Sequence, residues 1–390
     1  IIHDEDYLDV VYEVVFLNPS LSSRAKEQKI DRVKKKYKKM LRKLAVSNKK
    51  RLTPEEKRIS RLVKGGYYRA SRSIRLQIGQ KDRFQKGIET SGKYMKNIKR
   101  IFRDYGLPDE LTVLPHVESS FQVAAYSSAG AAGIWQFTRS TGKLYMKINY
   151  EIDQRLDPIL ATEAAAKLLK RNFEKLKSWP LAITAYNHGS QGMVRAKRSH
   201  GSNIVEIIKR YRSRTFGFAS RNFYAEFLAA LEVVKNSDNY FPNLKKQYPL
   251  KTTSIRLPHY LDIKTAVRHF SMSKEKILEL NPSLRDTVIS GQKRIPKGFE
   301  FKIPASRNVN LESVYAGIPH SLKYKRQKPS QWYRVRRGDN LSQIASRFRT
   351  SLKKLKRING IGRRNLIYVG QVLQLPNPRR NGSSLIHQTK

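Results

Sequence analysis

Apolar side chains recur every third or fourth residue through long stretches of the chain before residue 240, which is the spacing of amphipathic helices. The clearest stripe stops at Gly106, a residue type that commonly ends helices, and consists of Tyr94, Ile98, Ile101, Phe102 and Tyr105. Similar stripes lie within 158–176, 181–187 and 223–234. This part of the chain is therefore predicted to be mainly α-helical, with the stripes forming its core.

Residues 1–84 are predicted to form a basic helical region that packs on the domain that follows. Residues 1–20 mix apolar and acidic side chains, which fits a short strand or helix. Thr53, Pro54 and Glu56 form a helix start, with a capping residue, a proline in the first turn and a glutamate at the third position. Because aromatic and basic residues are not interleaved here, we favour a solvated helical pair over a nucleic-acid-binding arm.

Beyond residue 250 the pattern changes to short strands that flank pairs of short helices. Residues 332–376 show it once, with turn glycines and apolar positions at Val335, Gly338, Leu341, Ile344, Leu355, Ile358, Gly370 and Leu373. The same spacing of apolar and turn residues occurs upstream, 78 residues earlier for the helices and 72 residues earlier for the last strand. The upstream copy therefore contains a loop about six residues longer before its last strand. The chain therefore contains an internal repeat.

The segment 332–376 resembles a LysM repeat over nearly its full length, which implies a βααβ LysM domain at 331–376. The upstream copy at 252–304 lacks the Gly-Asp turn, since Pro258, His259 and Tyr260 precede its first helix. We interpret it as a degenerate LysM-like domain. Residues 305–330 are predicted to be a linker, and 377–390 a basic disordered tail.

The net charge of the chain limits the classes of binding partner but does not distinguish among those that remain. The 390 residues include 79 Lys and Arg against 31 Asp and Glu, a net charge of +48 that favours a polyanionic partner. Nucleic acid, peptidoglycan with its free peptide carboxylates and anionic membrane surfaces all fit. The absence of cysteine excludes disulfides, thiolate zinc sites and cysteine nucleophiles. No apolar stretch of about 18 residues is present, and the start at Ile1 indicates that an export signal has been removed.

The segment 116–137 carries the most informative chemistry. It places Glu118 at the end of an apolar helical run, where the helix dipole and desolvation both favour the protonated form expected of a general acid. A loop of small residues follows and ends in Trp135, Gln136 and Phe137. The two aromatic residues offer flat faces for sugar rings. This layout is typical of a saccharide-binding cleft.

Three blocks in this order resemble the signature of lytic transglycosylases with a goose-type lysozyme fold: ES at 118–119, SSAGAAGIWQF at 127–137 and AYNHG at 185–189. LPHVESSF at 114–121, together with a downstream LysM repeat, is similar to lytic murein transglycosylases of the membrane-bound type D. The resemblance implies a mainly α fold, with a lysozyme-like helical catalytic domain at 85–245 followed by small βααβ LysM modules.

A single carboxylate dominates the motif, whereas most glycosidases use two. Asp153, Asp157 and Glu163 are the nearest acidic candidates, but Asp157 and Glu163 fit positions at the start of a helix. The resemblance implies that Glu118 protonates the glycosidic oxygen, that the substrate's N-acetyl group shields the anomeric carbon, and that a 1,6-anhydro-MurNAc end results. A hydrolytic lysozyme (muramidase) and a non-catalytic wall-binding protein are the alternatives.

Other site residues follow from the resemblance alone. It implies that Glu118 is catalytic and that the substrate-binding residues are Ser119, Ser128, Gly130, Ile134, Trp135, Gln136, Tyr186 and Asn187, although Asn187 also fits a structural role. Ala219 stands where the family pattern has a carboxylate. In the LysM domain, glycan binding is expected from Gly338, Asp339, Asn340, Leu341, Gly360 and Ile361.

The resemblance implies no cofactor and no metal. Peptidoglycan glycan strands are the expected partner of a monomer, an anionic membrane surface is a further candidate, and no specific nucleic acid is expected. The expected location is the periplasm or cell envelope, with secretion as the alternative.

Overall fold

The computed structural model describes residues 1–18, 20–46, 51–305, 310–329, 331–362 and 365–376. Within them the strands are β1 (Ile2–Asp4), β2 (Val11–Glu13), β3 (Ile74–Leu76), β4 (Thr252–Arg256), β5 (Glu300–Pro304), β6 (Gln331–Arg334) and β7 (Val372–Leu375). The helices are α1 (Ser23–Val46), α2 (Pro54–Val63), α3 (Tyr67–Ala70), α4 (Lys81–Ser91), α5 (Met95–Asp104), α6 (Leu114–Ser119), α7 (Arg139–Gly142), α8 (Pro158–Leu176), α9 (Trp179–His188), α10 (Ser190–His200), α11 (Ile204–Arg210), α12 (Phe218–Lys235), α13 (Ser237–Tyr240), α14 (Ile263–His269), α15 (Lys274–Leu280), α16 (Asp286–Ile289), α17 (Leu311–Ala316), α18 (Leu341–Arg347) and α19 (Leu352–Asn359). The predicted tail at 377–390 lies outside the described residues.

The chain folds into two compact units, each built from two stretches of sequence. The first unit combines 1–86 with 171–232, and the second combines 87–170 with the chain from 233 onward. The predicted catalytic domain at 85–245 therefore contributes to both units. None of the described helices is both long enough and apolar enough to cross a bilayer.

The first unit begins with a small antiparallel sheet in the order β2-β1-β3. Helix α1 contributes Tyr37, Leu41 and Leu44 to the core beside this sheet. Helix α2 starts at Thr53 with the predicted capping box. Residues 1–20 form strands, which is one of the two alternatives expected there, whereas β3 lies in a part of 1–84 that was expected to be helical. Strands of three residues are too short to show a period of two along the sequence.

The rest of the first unit is helical. Helices α9 to α11 enclose a core that includes Leu181, Met193, Ile207 and Phe216. Gly189 separates α9 from α10 with a positive φ of 91°, a conformation that glycine adopts without strain. A short turn can therefore fold α10 back on α9.

In the second unit the predicted stripe before Gly106 forms α5, which buries Ile98, Ile101 and Phe102. Gly106 has a φ of 68° and ends this segment, as the sequence predicted. Helix α8, downstream, buries Ala161, Ala165 and Leu169. The mainly helical fold class is confirmed.

Two βααβ arrangements follow in the second unit. Strand β4 pairs antiparallel with β5, and β6 pairs antiparallel with β7; helices α14 and α15 follow β4, and helices α18 and α19 follow β6. The longer loop of the first copy holds the additional helix α16. The predicted repeat therefore corresponds to two domains with the same order of elements.

Most of the predicted linker at 305–330 belongs to the first βααβ domain. Leu311, Tyr315 and Ile318 are buried in its core, and Tyr324 forms a β-bridge with Tyr260. The linker prediction is therefore wrong for this stretch. A helix of six residues shows less than two turns of periodicity, so the sequence pattern did not reveal α17.

Candidate functional site

Glu118 is the penultimate residue of α6, and its side chain is partly exposed. A short 3-10 helix, Asp109–Val113, precedes α6, so the apolar helical run that ends near Glu118 consists of a 3-10 helix followed by an α-helix. Ser120 and Phe121 follow with φ values of 49° and 56°. Two successive left-handed residues turn the chain away sharply and leave Glu118 at the rim of the helix end.

Ser119 connects this helix end to the small-residue loop. Its hydroxyl donates to the carbonyl oxygen of Ile134 at 2.9 Å and lies 3.2 Å from that of Pro115. Ser119 itself is buried. These bonds tie the end of α6, where Glu118 lies, to the loop.

A buried arginine that the sequence analysis missed organises the loop. The Arg155 guanidinium donates to the carbonyl oxygens of Gly130 (2.8 Å) and Phe137 (2.9 Å), at the two ends of the loop. It pairs with Asp153 at 2.7 Å, and both side chains are at least 96% buried. Gly133 has no room for a Cβ, which would overlap the Arg155 carbonyl. In the sequence, the opposite charges of Asp153 and Arg155, two positions apart, are the feature that could have indicated this ion pair.

The expected sugar-stacking role of Trp135 is wrong. Its side chain is fully buried, stacks on Phe102 with ring centres 5.6 Å apart, and donates from Nε1 to Thr162 Oγ1 at 2.9 Å. Ile134 and Phe137 are buried as well. These side chains form the floor beneath the loop, because their apolar area is better removed from water than left on its surface.

The remaining loop residues are accessible. Gln136 is partly exposed, has a φ of 47° and donates from Nε2 to the Gly133 carbonyl at 2.8 Å. Ser128 and Gly130 are exposed, and so is Tyr126, which the sequence analysis did not select. Tyr126 supplies the exposed aromatic face that was expected of Trp135.

The two aspartates that were candidates for a second carboxylate have structural partners. Asp153 is paired with Arg155, as described above. Asp157 accepts from the backbone N–H groups of Ile159 and Leu160, which confirms that it caps α8. Its other oxygen lies 2.7 Å from Lys302 Nζ, with 4% of the Asp157 side chain exposed. Neither side chain is placed to activate a water molecule.

His116, two residues before Glu118, is buried against Phe121, with ring centres 5.1 Å apart. Burial lowers the pKa of His116 to about 4. The imidazole is therefore neutral at pH 7 and adds no positive charge beside Glu118.

Tyr186 and Asn187 lie on α9 in the first unit. Tyr186 is partly buried, and Asn187 is exposed and accepts from the Ser220 hydroxyl at 2.8 Å. This bond to α12 supports a structural role for Asn187. Helix α12 also carries Glu226, where burial raises the pKa of the carboxyl. Its position in the apolar run FYAEFLAAL was a signal that could have drawn attention to it.

The LysM residues divide into structural and accessible positions. Leu341 is buried in the domain core, so the expectation that it contacts glycan is wrong. Asn340 caps α18 by accepting from the Gln343 N–H. The backbone N–H of Arg336 and the Tyr333 hydroxyl lower the pKa of Asp339 and hold the turn. Gly338 forms this turn with a φ of 89°, whereas Gly360 and Ile361 border an open cleft.

Comparison with protein families identifies two domains. Residues 96–207 match the transglycosylase SLT domain, and residues 333–376 match the LysM domain. The chain therefore contains a transglycosylase SLT domain and a LysM domain, as the sequence motifs indicated.

The chain is 28% identical to the membrane-bound lytic murein transglycosylase D of Escherichia coli K12 over 277 residues. The same protein from Escherichia coli O6:H1 gives the same values. The alignment covers 68% of this chain and 60% of the relative, so the chain matches about three fifths of that protein's length.

Two solved structures align at lower similarity. An inactive mutant of the lytic transglycosylase Slt from Pseudomonas aeruginosa gives a TM-score of 0.31 at 17% identity, covering 39% of this chain and 24% of that one. The 70 kDa soluble lytic transglycosylase of Escherichia coli gives 0.28 at 16% identity, covering 58% and 32%. At these scores neither structure bears on the geometry of the site.

Proposed function

We propose that this chain is a peptidoglycan lytic transglycosylase. It cleaves the MurNAc-β-1,4-GlcNAc bond without water and leaves 1,6-anhydro-MurNAc ends, in remodelling or degradation of the cell wall. One observation carries the proposal: Glu118 stands at the open end of α6, while the neighbouring aspartates, Asp153 and Asp157, are held in structural contacts. The SLT match at 96–207 supports the reaction class.

In this mechanism one carboxyl group acts twice. Glu118 first donates its proton to the glycosidic oxygen, so that the bond to the anomeric carbon breaks and the GlcNAc hydroxyl leaves. The substrate's N-acetyl oxygen shields the positive anomeric carbon. Glu118, now a carboxylate, removes the proton from the muramyl 6-hydroxyl, whose oxygen closes the anhydro ring. The same group is therefore acid and then base, as microscopic reversibility allows.

The surrounding residues position the substrate. Ser119 and Arg155 hold the helix end and the loop in register, as their hydrogen bonds to Ile134, Gly130 and Phe137 indicate. Gln136 and Tyr186 are proposed to line the saccharide path, with Tyr186 directed at the acetamido group. The contacts of Gln136 within the loop support its assignment.

We further propose that the chain acts as a monomer on glycan strands in the periplasm or cell envelope. The LysM domain and the net charge of +48 support retention on a wall polymer with free carboxylates. The same charge suits an anionic membrane surface.

Substitution of Glu118 by glutamine tests the function. An amide cannot deliver the proton, so we expect release of muropeptides from sacculi to fall at least about a hundredfold. Glu174→Gln is the matched control, because Glu174 is an exposed glutamate on α8. Mass spectrometry of the wild-type products should show anhydro ends, which are lighter than reducing ends by one water.

Each other outcome selects a different function. Reducing ends from the wild-type chain would establish a muramidase. Sacculus binding without any released muropeptide would establish a wall-binding protein.

A further inference from the structure

A large cleft lies within the second unit, and Glu118 is not among the described residues that line it. Its volume is 1650 Å³, which exceeds the 300 to 1,000 Å³ typical of small-molecule sites. Its walls include the loop at 123–130, the first βααβ domain and the LysM domain, with further residues from 90–94 and 139–156. A ligand that fills such a cleft is a chain of several units rather than a single small molecule.

The first two walls are joined by backbone contacts. Ile152 forms a β-bridge with Leu284, and the N–H of Asp153 donates to the Ser283 carbonyl at 2.8 Å. Asp153 also holds Arg155, which binds both ends of the loop. The loop and the first βααβ domain are therefore positioned by the same buried ion pair.

The LysM domain supplies the third wall through side-chain contacts. Arg357 lies 3.2 Å from Asp286 of the first βααβ domain. The ring of Trp332 packs near that of Tyr150, with centres 6.4 Å apart. These contacts bring Gly360 and Ile361, two residues expected to bind glycan, to the same cleft as Ser128 and Gly130.

The charge of the cleft differs from that of the whole chain. Five Lys or Arg and four Asp or Glu side chains line it, in a protein of net charge +48. Several are already paired, including Lys93 with Glu279 at 3.1 Å. The cleft would attract a polyanion such as nucleic acid only weakly, because its acidic side chains nearly cancel the charge of its basic side chains.

The exposed surfaces of the cleft suit sugar rings. Tyr126, Leu278 and Leu366 line it with exposures of 56%, 39% and 59%. The hydroxyls of Ser127 and Ser128 and the backbone of Gly360 provide polar groups between these apolar faces. Such alternation of flat apolar area and hydrogen-bonding groups matches the two faces and the rim of a pyranose.

We propose that this cleft is a second glycan-binding site, which holds an amino-sugar strand and is complete only when the LysM domain is in place. The identity of the strand rests on the proposed function. A strand long enough to occupy both the region of Glu118 and this cleft gains affinity through effective concentration, whereas a short oligosaccharide does not. The LysM domain then acts as part of a strand-length sensor as well as a wall anchor.

The test measures binding of peptide-free glycan strands to the full-length chain in a Glu118→Gln background, by calorimetry. Two ligands are compared, long strands and a tetrasaccharide of the same glycan. The variants are Leu278→Asp in the first βααβ domain and Leu366→Asp in the LysM domain. Val369→Asp is the matched control, because Val369 is a 69% exposed apolar residue of the LysM domain that does not line the cleft. Thermal unfolding checks that each variant is folded, and Leu278→Ser replaces Leu278→Asp if that variant is not.

We expect Leu278→Asp and Leu366→Asp each to raise the Kd for long strands about fivefold or more, and to change the Kd for the tetrasaccharide less than about twofold, since one buried apolar contact is lost. Val369→Asp should match the parent. An effect of Leu366→Asp alone would show that the LysM domain binds glycan independently, and would overturn the joint cleft. Equal behaviour of all three variants would also overturn it.

The proposed function is tested separately, by the products of the wild-type chain. Loss of long-strand affinity in the two variants without any anhydro product would keep the cleft and refute the lytic reaction. Anhydro products with unchanged long-strand affinity in the variants would do the reverse.

Discussion

The two βααβ domains of the second unit share a fold and an internal hydrogen-bond pattern. In the first, Asn281 donates to the carbonyls of Ile277 and Lys302 and accepts from the Lys302 N–H. In the second, Asn359 makes the equivalent bonds to Leu355 and Gln374. The asparagine at the end of the second helix thus ties that helix to the last strand in both domains.

The domains differ in how they join the rest of the unit. The first adds a β-bridge at Leu284 and an ion pair between Lys302 and Asp157 with side-chain exposures of 22% and 4%. The second is joined by Arg357 and Asp286, exposed at 50% and 59%. The same fold is therefore a fixed part of the second unit in one case and a more loosely attached module in the other, because the contacts of its loops differ.

The largest effect should come from two truncations, of which one removes the LysM domain and the other removes both βααβ domains. A chain that ends at residue 329 should stay folded and keep its cleavage of short soluble glycans, while its affinity for sacculi falls about tenfold or more through loss of a second binding element. A chain that ends at residue 250 should lose its cooperative fold, because Ile152 becomes exposed and Asp157 loses Lys302. Circular dichroism measures the folding of each truncated chain, and muropeptide release measures its activity. Equal loss of activity in the two truncated chains would contradict the predicted difference between the two domains.

The next largest difference should be in how acid affects the stability of the region around His116 and of the LysM domain. The folded pKa of His116 is about 4, against about 6.5 in an unfolded chain, so the unfolded state binds more protons between these values. The contribution of His116 to the free energy of unfolding is therefore fully present above about pH 6.5. It is lost as the pH falls towards 4, by up to about 3 kcal/mol.

The LysM domain offers the internal reference for this titration, since 331–376 contain no histidine. When the pH is lowered from 7 to 4.5, calorimetry should show that the unfolding temperature of the region around His116 falls more than that of the LysM domain. His116→Phe should reduce the difference. A common shift of both transitions would show that the domains unfold together.

A smaller contrast is expected between the two asparagines. Asn281→Ala leaves two backbone groups of Lys302 without their partner in a site where Asn281 is 1% exposed, and should cost about 3 kcal/mol. Asn359→Ala should cost about 1 kcal/mol, because water can reach its partly exposed site. Denaturant unfolding measures both values, and equal costs would refute the difference in burial.

The smallest effect concerns the ion pair between the domains. Arg357→Asp and Asp286→Arg should each weaken the contact by less than about 1 kcal/mol, and the double exchange should restore it. Hydrogen exchange at the 357–361 segment reports the contact. A large coupling energy would mean that the LysM domain is fixed more firmly than its exposed contacts indicate.

Local patterns in the sequence were sufficient for several features. The stripe that became α5, the capping box at Thr53, the N-cap at Asp157 and the βααβ repeat all depend on residues within one or two turns or at a constant offset. The motif made Glu118 the catalytic candidate, and the family matches confirmed that an SLT domain and a LysM domain are present.

Tertiary contacts decided the rest. The sequence could not show that Trp135 is buried and Tyr126 exposed, because burial depends on Phe102 and Thr162, which are distant along the chain. It could not show that Arg155 binds both ends of a loop up to 25 residues away. The sequence also did not reveal the cleft, because its walls come from distant segments that only the folded backbone brings together.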